Sequence, residues 1–291
     1  MSGEIKKVSV VLCSYNGSLY IEKQLDSILK QTYPIDEIII VDDCSTDSTR
    51  DILQEYQRRN DIIKLFFNEK NLGSNKSFKY AISLASNEYI FLSDQDDIWF
   101  TNKIEKQINV VKNDSTKPLL VFHDLSLIDE DGQAVFPSFW KLHGFFAEKF
   151  NFKKLLIFNI VTGCTCLINK AMKDELMRCD MQDIIMHDYL IALIAYGFGE
   201  PIFINEQLMY YRTHSNSVTI KEKNTFFDRV KGFVSRVKNR NYLLPNILQV
   251  QKYNELYKHN LSSENKKLVV KFLGLKNKGT LQRIIYKRSI N

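Results

Sequence analysis

The sequence predicts an α/β fold in which helices cover both faces of a mostly parallel β-sheet. Three observations predict it. Over the first 120 residues, short β-branched apolar runs alternate with segments whose apolar residues recur at helical spacing. Polar clusters follow the ends of these apolar runs. Finally, 44% hydrophobic and 25% charged residues over 291 positions are typical of a soluble globular chain with one large domain and an appendage.

Strand and helix signals follow one another in regular order along this first part. Residues 8–12 form a continuous apolar run typical of a buried parallel strand, and residues 20–30 carry apolar side chains at helical spacing. The same alternation predicts further strands at residues 38–41, 63–67 and 89–92, and helices at 47–59 and 74–85.

The second half of the chain is less regular. We expect a helix at residues 103–112, a strand at 119–124, an aromatic-rich stretch at 136–152 and a helix that ends near residue 178. This half is predicted to shape the pocket of the second substrate. From residue 219 onward we expect a helical and basic segment. We therefore divide the chain into a catalytic domain, residues 1–218, and an extension, residues 219–291.

Acidic residues follow two of the predicted strands, at the edge where open α/β sheets bind their ligands. Asp42 and Asp43 follow the second strand, and the cluster Asp94 to Asp97 follows the fourth. Neighbouring carboxylates repel one another unless a cation lies among them, which favours a divalent ion held by carboxylates and substrate phosphates. The alternative is a solvated acidic turn that caps the helix beginning near Thr101.

Four spaced motifs stand out in the sequence, at residues 8–16 (VSVVLCSYN), 40–47 (IVDDCSTD), 71–73 (NLG) and 92–99 (LSDQDDIW). Together they resemble the motifs of the family 2 inverting glycosyltransferases, which have the GT-A fold. The resemblance extends in order over about residues 5–218, and four motifs together are far more specific than any one. It implies a Rossmann-like nucleotide-sugar-binding domain and an enzyme that uses Mg²⁺ or Mn²⁺.

The resemblance also implies which residues contact the nucleotide of the donor. The second Asp of the strand-two pair, Asp43, would contact the base, and Cys13 and Tyr15 would pack near the same base. The family often carries an Arg after the Asn-x-Gly motif. This chain offers Lys76 and Lys79 there, and Lys76 is taken as the donor contact.

The metal and diphosphate contacts are implied in the same way. Asp94 would face the ribose or the metal, Asp96 would ligate the metal, and Asp97 could share either role. A segment at residues 210–217 resembles one that the family places after the catalytic base. Its Arg212 and His214 would reach the diphosphate, and His214 would also reach the metal, because a leaving nucleoside diphosphate gathers negative charge.

A second acidic motif, Met186-His187-Asp188-Tyr189, leads into an apolar helix and resembles the acidic motif of the same family. An acceptor hydroxyl must lose its proton as it attacks the anomeric carbon, and a carboxylate can take that proton in the transition state. Asp188 is therefore predicted to be the catalytic base. The alternative is that Asp188 is the N-cap of the helix that follows it.

The extension is strongly basic. Residues 219–291 hold 17 Lys or Arg against 4 Asp or Glu, a charge of +13, while the remainder of the chain carries −7. Phe226 to Val237 have the pattern of an amphipathic cationic helix, which is typical either of packing on the catalytic domain or of attachment to an anionic membrane surface. Nucleic-acid binding is the third interpretation, but no nucleic-acid motif accompanies the charge.

The predicted function is thus metal-dependent transfer of a sugar from a nucleotide-diphosphate donor to a glycan or a lipid-linked glycan in surface polysaccharide biosynthesis. The 93–99 string is similar to that of bacterial rhamnosyltransferases, which makes dTDP-L-rhamnose the first donor to test and UDP-hexoses the next. Two alternatives are a metal-dependent nucleotidyl- or phosphotransferase and a non-catalytic membrane-surface module. With no secretion signal visible and an odd set of five cysteines, we expect a cytoplasmic location.

Overall fold

The computed structural model describes residues 6–112, 116–182, 184–213 and 243–278, together with Arg283 and Tyr286. Within these residues the strands are β1 (Val8–Ser14), β2 (Glu37–Asp42), β3 (Ile63–Phe67), β4 (Tyr89–Ser93), β5 (Ile98–Trp99), β6 (Leu119–Ile128), β7 (Ala134–Phe136), β8 (Leu167–Asn169) and β9 (Glu200–Arg212). The helices are α1 (Ile21–Leu29), α2 (Thr49–Arg59), α3 (Ser74–Leu84), α4 (Lys103–Asn109), α5 (Phe139–His143), α6 (Phe152–Leu155), α7 (Lys170–Met177), α8 (His187–Phe198), α9 (Leu244–Tyr257) and α10 (Ser263–Leu273).

The strands form one sheet in the order β3-β2-β1-β4-β8-β6-β9-β5, and β7 pairs with β6. The first four strands along the chain, β1 to β4, are parallel, as the alternation of signals predicts. β8 lies antiparallel between β4 and β6, and the long strand β9 is parallel to β6. The predicted α/β class is confirmed, and its second half is a mixed sheet.

β1 and β2 lie near the centre of the parallel half because their side chains are apolar on both faces. Val10, Leu12 and residues 38–41 have no exposed surface, whereas Lys64 and Phe67 on the edge strand β3 are exposed. Burying side chains of this size stabilises the fold by about 1.5–3 kcal/mol each. Helix α3 packs against β1 and β2, so its first turn lies beside the ends of these strands.

The described part of the C-terminal segment packs on the catalytic domain. Tyr253 and Tyr257 of α9 are completely buried, and Asn265 of α10 donates a hydrogen bond from Nδ2 to the carbonyl of Gly197 at 2.9 Å. The hydroxyl of Tyr253 lies where a side chain on Gly197 would begin, which brings α9 close to α8. Among the described helices none is both long and apolar enough to span a membrane. The predicted amphipathic stretch Phe226 to Val237 lies outside the described residues.

Candidate active site

The ends of three parallel strands meet at one edge of the sheet. Ser14 of β1 is in register with Asp42 of β2, and Leu12 of β1 with Ser93 of β4, so the loops that follow these strands are neighbours. Beside them lies a cavity of about 690 Å³. Six of the predicted site residues line it, namely Cys13, Tyr15, Asp43, Asp94, Asp96 and Asp188.

The carboxylate of Asp43 holds the loop that carries the predicted 71–73 motif. Its Oδ1 accepts hydrogen bonds from Asn68 Nδ2 and from the N–H of Leu72, and its Oδ2 accepts one from the N–H of Gly73, each at 2.8 Å. Gly73 has a φ of +79°, a conformation that favours glycine. Asp43 is only 4% exposed and still lines the cavity, so its three hydrogen bonds fix the position of its carboxyl group in the wall.

Tyr15 and Gln95 join the loop after β1 to the loop after β4. The Tyr15 N–H donates to Gln95 Oε1 at 2.8 Å, and Gln95 Nε2 donates to the Tyr15 carbonyl at 3.1 Å. The Tyr15 ring itself is half-exposed at the cavity. Burial, followed by the charges of Asp94 and Asp43, raises the pKa of Cys13 well above its ordinary value, so this thiol contributes a neutral surface.

Asp94 and Asp96 both line the cavity, whereas Asp97 does not. Burial, followed by the charges of Asp96 and Asp188, raises the pKa of Asp94 to about 7. Asp97 is completely buried and accepts the N–H of Arg212 at 3.2 Å. Burial and the charges of Asp96 and Asp94 raise its pKa well above the ordinary value. Asp97 therefore lies outside the cavity wall and joins the loop after β4 to the backbone of Arg212.

The donor atoms at this loop fit a hard divalent cation on its cavity side. Among the described residues, ligand atoms of Asp94, Asp97 and Cys164 lie within 4.8 Å of one another. Burial raises the pKa of the Cys164 thiol, and Mg²⁺ and Mn²⁺ prefer oxygen ligands to sulfur. Asp94 and Asp96 both line the cavity, and a cation held by them would relieve the repulsion that helps to raise the pKa of Asp94.

Asp188 lies inside the first turn of α8, and the N-cap residue is Met186. The alternative prediction that Asp188 is the N-cap is therefore wrong. Its Oδ1 accepts from Asn159 Nδ2 and its Oδ2 from the Gly163 N–H, both at 3.2 Å. The side chain is 8% exposed at the cavity, and burial raises its pKa to about 7. Such a carboxylate can accept a proton near neutral pH.

His187 lines the same wall, and the sequence did not single it out. Its ring stacks on Phe78 of α3 with centroids 4.3 Å apart, and burial lowers its pKa to about 4, so the imidazole is neutral. A Cβ on Gly163 would lie 2.9 Å from His187 Nε2. Glycine at position 163 therefore admits the imidazole and also donates its N–H to Asp188. The position of His187 next to a predicted base was the one available signal.

Arg212 is buried and joins two cavity loops through their backbone. Its Nε donates to the Asp96 carbonyl at 3.0 Å, and its Nη1 donates to the carbonyls of Asp129 and Glu130 at 3.0 Å. The turn at residues 129–130 thereby presents Glu130 to the cavity. Contact of Arg212 with a diphosphate stays a prediction.

Two other predicted site residues, Lys76 and His214, are not among the described residues that line the cavity. Lys76 is exposed on α3 and is not among the residues that line the cavity. His214 lies outside the described residues. The structure thus assembles the acidic and donor-base candidates in one cavity, and the cationic candidates remain predictions.

Comparisons with known proteins agree with this arrangement. Residues 9–176 match the family model described as glycosyl transferase family 2. The chain is 33% identical over 213 residues, 73% of its length, to the putative teichuronic acid biosynthesis glycosyltransferase TuaG of Bacillus subtilis, and the match covers 81% of that protein.

Two solved structures share the fold at low sequence identity. The mannosyltransferase PcManGT of Pyrobaculum calidifontis, in complex with GDP-Man and Mn²⁺, is 15% identical with a TM-score of 0.58, over 99% of this chain and 81% of that one. S. aureus TarS 1–349 in complex with UDP-GlcNAc is 18% identical with a TM-score of 0.57, over 92% and 80%. These likenesses confirm the GT-A-like fold. With a family model that matches more than half of its length, the chain belongs to glycosyl transferase family 2 and is a glycosyltransferase that uses a nucleotide sugar.

Proposed function

We propose that this enzyme is a metal-dependent inverting glycosyltransferase whose catalytic base is Asp188. One observation carries the proposal: Asp188, buried and with a pKa raised to about 7, lines the same cavity as Asp94 and Asp96. A binding module needs no carboxylate that exchanges protons near neutral pH. A transfer to an acceptor hydroxyl does.

The reaction is a single displacement at the anomeric carbon of the donor sugar. The acceptor oxygen forms a bond to that carbon as the bond from the carbon to the diphosphate oxygen breaks. Asp188 takes the proton that the acceptor hydroxyl loses, and the nucleoside diphosphate leaves with the bonding electron pair. Attack from the face opposite the leaving group inverts the anomeric configuration, and no covalent enzyme intermediate forms.

The donor is held from the other side of the cavity. Asp43 would accept a hydrogen bond from the nucleotide base, with Cys13 and Tyr15 beside that base. Asp96, with Asp94, would hold Mg²⁺ or Mn²⁺, which supplies positive charge to the leaving diphosphate. The complex of PcManGT with GDP-Man and Mn²⁺ supports a divalent metal in a protein of this fold.

The identities of the donor sugar and of the acceptor are inferred from the relatives and the motifs, not from the geometry of the site. TuaG is named for teichuronic acid biosynthesis, which supports an acceptor that is a glycan or lipid-linked glycan of a surface polysaccharide. For the donor we retain dTDP-L-rhamnose as the first candidate and UDP-hexoses as the second. The names of the relatives do not favour rhamnose, so the donor has to be identified by experiment.

A donor screen tests the proposal. dTDP-rhamnose, UDP-hexoses, UDP-GlcNAc and GDP-mannose are incubated with the full chain, with Mn²⁺ or with chelator, and saturation-transfer NMR and released nucleotide are measured. We expect one donor to bind and to release nucleoside diphosphate only with metal. Release of sugar 1-phosphate, with the nucleoside monophosphate transferred to an acceptor or to water, would instead favour the nucleotidyltransferase alternative. Binding independent of metal would remove the metal from the proposal.

We also propose that the basic extension, residues 219–291, attaches the enzyme to an anionic membrane surface, and that residues 219–242, which lie outside the described residues, carry most of the contact. Each Lys or Arg near such a surface contributes about 1 kcal/mol. Because α9 packs on α8, truncation at residue 219 would uncover the catalytic domain, so charge removal is the cleaner test. The variant replaces seven residues by Gln: Lys221, Lys223, Arg229, Lys231, Arg236, Lys238 and Arg240.

Co-sedimentation with phosphatidylglycerol vesicles, and with neutral vesicles, measures the attachment. The wild-type chain is expected to sediment with anionic vesicles at low salt and to be released at 1 M salt, where the Debye length is about 3 Å. The seven-residue variant should stay in the supernatant. A matched control replaces six exposed lysines of the described extension by Gln: Lys258, Lys266, Lys267, Lys271, Lys276 and Lys278. If the control loses binding as fully as the variant, the attachment does not belong to residues 219–242.

A further inference from the structure

The segment of residues 184–187 leads directly into the proposed base. Met186 is extended, with φ of −144° and ψ of 141°, and its own side chain does not cap the helix α8 that begins at His187. An extended segment outside a sheet makes no regular backbone hydrogen bonds of its own. Its partners must come from other parts of the fold, and they determine where Asp188 lies.

Asn75 of α3 binds this segment from the donor side. Its Nδ2 donates to the Ile184 carbonyl at 2.7 Å and to the Ile185 carbonyl at 3.3 Å, and its Oδ1 accepts the His187 N–H at 2.8 Å. One side-chain amide therefore pairs with the segment in the way that a neighbouring strand would. The last of these bonds is on the residue adjacent to Asp188.

Gln249 of α9 binds the same segment from the C-terminal side. Its Oε1 accepts from the N–H of Ile185 at 2.8 Å and from the N–H of Met186 at 3.4 Å, and its Nε2 donates to the Met186 carbonyl at 3.2 Å. The Gln249 side chain has no exposed surface. A buried amide whose donor and acceptor are both used on one short segment fixes that segment closely.

We propose that Asn75 and Gln249 are positioning residues for catalysis, which hold segment 184–187 between them so that Asp188 reaches the acceptor hydroxyl. The inference rests on the proposed role of Asp188 as base. Helix α9 lies after residues 9–176, which match the family model. Under this proposal, Gln249 makes that C-terminal helix part of the active site.

Asn75 and Gln249 differ in how closely they are connected to the wall that is proposed to bind the donor. Asn75 lies two positions after Gly73, whose N–H donates to Asp43, so α3 touches both the donor-base wall and segment 184–187. Among the described residues, the hydrogen bonds of the Gln249 side chain go to segment 184–187. Removing the Gln249 amide should therefore change the chemical step and leave donor binding nearly unchanged.

The experiment compares Gln249→Met with Gln251→Met in the full chain. Gln249→Met keeps the length of the side chain and removes the acceptor of the Ile185 N–H, while the Met186 carbonyl keeps the hydrogen bond from the Leu190 N–H at 3.3 Å. Gln251 lies on the same helix, and in the described part of the chain its side-chain amide bonds to Glu255 and Lys276 near the surface. Donor Kd by calorimetry, kcat and KM in the transfer assay, and Tm are measured for both.

We expect a fall in kcat of about tenfold or more for Gln249→Met, with donor Kd within about twofold, because small misplacement of a catalytic group is costly. Gln251→Met should match the wild type.

If Gln249→Met keeps kcat within about twofold while Asp188→Asn is inactive, the positioning role is overturned and the proposed base stands. If Gln249→Met raises donor Kd as much as it lowers kcat, the residue supports the fold in general and the inference fails. If Asp188→Asn is fully active, the proposed base itself fails, and this inference with it. Should Gln249→Met not fold, Asn75→Leu is judged by its kcat, and a kcat within about twofold of the wild type overturns the role.

Discussion

Two walls of the cavity differ in how their buried carboxyl groups are hydrogen bonded: the proposed donor side, which contains Asp43, and the proposed base side, which contains Asp188. Asp43 is 4% exposed and accepts three hydrogen bonds at 2.8 Å, two of them from the backbone of one loop. Asp188 is 8% exposed and accepts two, both at 3.2 Å. Burial raises the pKa of Asp188 to about 7.

This difference separates two kinds of function. Short hydrogen bonds hold the carboxyl group of Asp43 in one position, which suits it to receive a hydrogen-bond donor. Longer bonds compensate burial less well, so a carboxylate such as Asp188 exchanges its proton near neutral pH and suits proton transfer. The comparison predicts that the same Asp→Asn change affects turnover on one side of the cavity and donor affinity on the other.

The largest effect is expected for Asp188→Asn. The amide cannot take the acceptor's proton, so kcat should fall by about 10²-fold or more while donor Kd stays nearly unchanged. Transfer kinetics and calorimetry with the identified donor measure the two quantities. Near wild-type turnover in this variant would show that the base lies elsewhere.

Asp96→Ala is expected to have the next largest effect, on donor affinity in the presence of Mn²⁺. Loss of even an outer partner of a metal ligand lowers metal affinity by about 10–100-fold, and loss of a ligand should cost at least that much. Calorimetry with Mn²⁺ and with chelator measures it. Asp131→Ala, which removes an exposed carboxylate from the turn between β6 and β7, is the control. Equal donor affinity in the wild type with and without chelator would contradict the prediction.

The donor side of the cavity could be predicted from the sequence because it is built from local signals. The sequences of β1, β2 and β4 are apolar runs, which predict strands. Because the carboxyl ends of parallel strands lie at one edge of the sheet, the residues that follow these strands are expected to be neighbours. This rule predicts that Asp43 and Asp94 lie at the same edge of the sheet, whereas the donor contacts of Cys13 and Asp43 are implied by the family resemblance. Long side chains are less constrained by this rule, and Lys76 points to solvent instead of the cavity.

The base side could be predicted only in part, because its contacts join distant segments. Asp188 was found by its motif, but its partners Asn159 and Gly163 lie more than 20 residues away along the chain. The strand β9 pairs parallel with β6 across a break in register, and no alternation in its sequence signals this. Gln249, 61 positions after Asp188, carries no motif at all.

A smaller effect is expected for Asp43→Asn, and it should be on binding alone. The new amide group would face the backbone N–H groups of Leu72 and Gly73, so one hydrogen bond at least is lost and the loop loosens. Donor Kd should rise by about tenfold, which corresponds to about 1.4 kcal/mol, while kcat at saturating donor stays within a few fold. A variant that binds donor normally but turns over slowly would reverse the comparison between the two carboxylates.

The smallest effect is the pH dependence of turnover, and its sign follows from the raised pKa of Asp188. The base must be ionised to take a proton, and with a pKa of about 7 half of it is protonated at that pH. Turnover should therefore fall as pH drops below 7, by roughly fivefold between pH 7 and pH 6, whereas an aspartate of ordinary pKa would leave the rate flat over this range. Burial and nearby charges also raise the pKa of Asp94 to about 7. Saturating Mn²⁺ would keep Asp94 ionised, so it should not add a second step to the profile.

The measurement is kcat from pH 5.5 to 8.5 at saturating donor and Mn²⁺, with the residual activity of Asp188→Asn over the same range as control. That variant should lose the acidic limb, and a limb of unchanged midpoint in Asp188→Asn would assign the titration to another group.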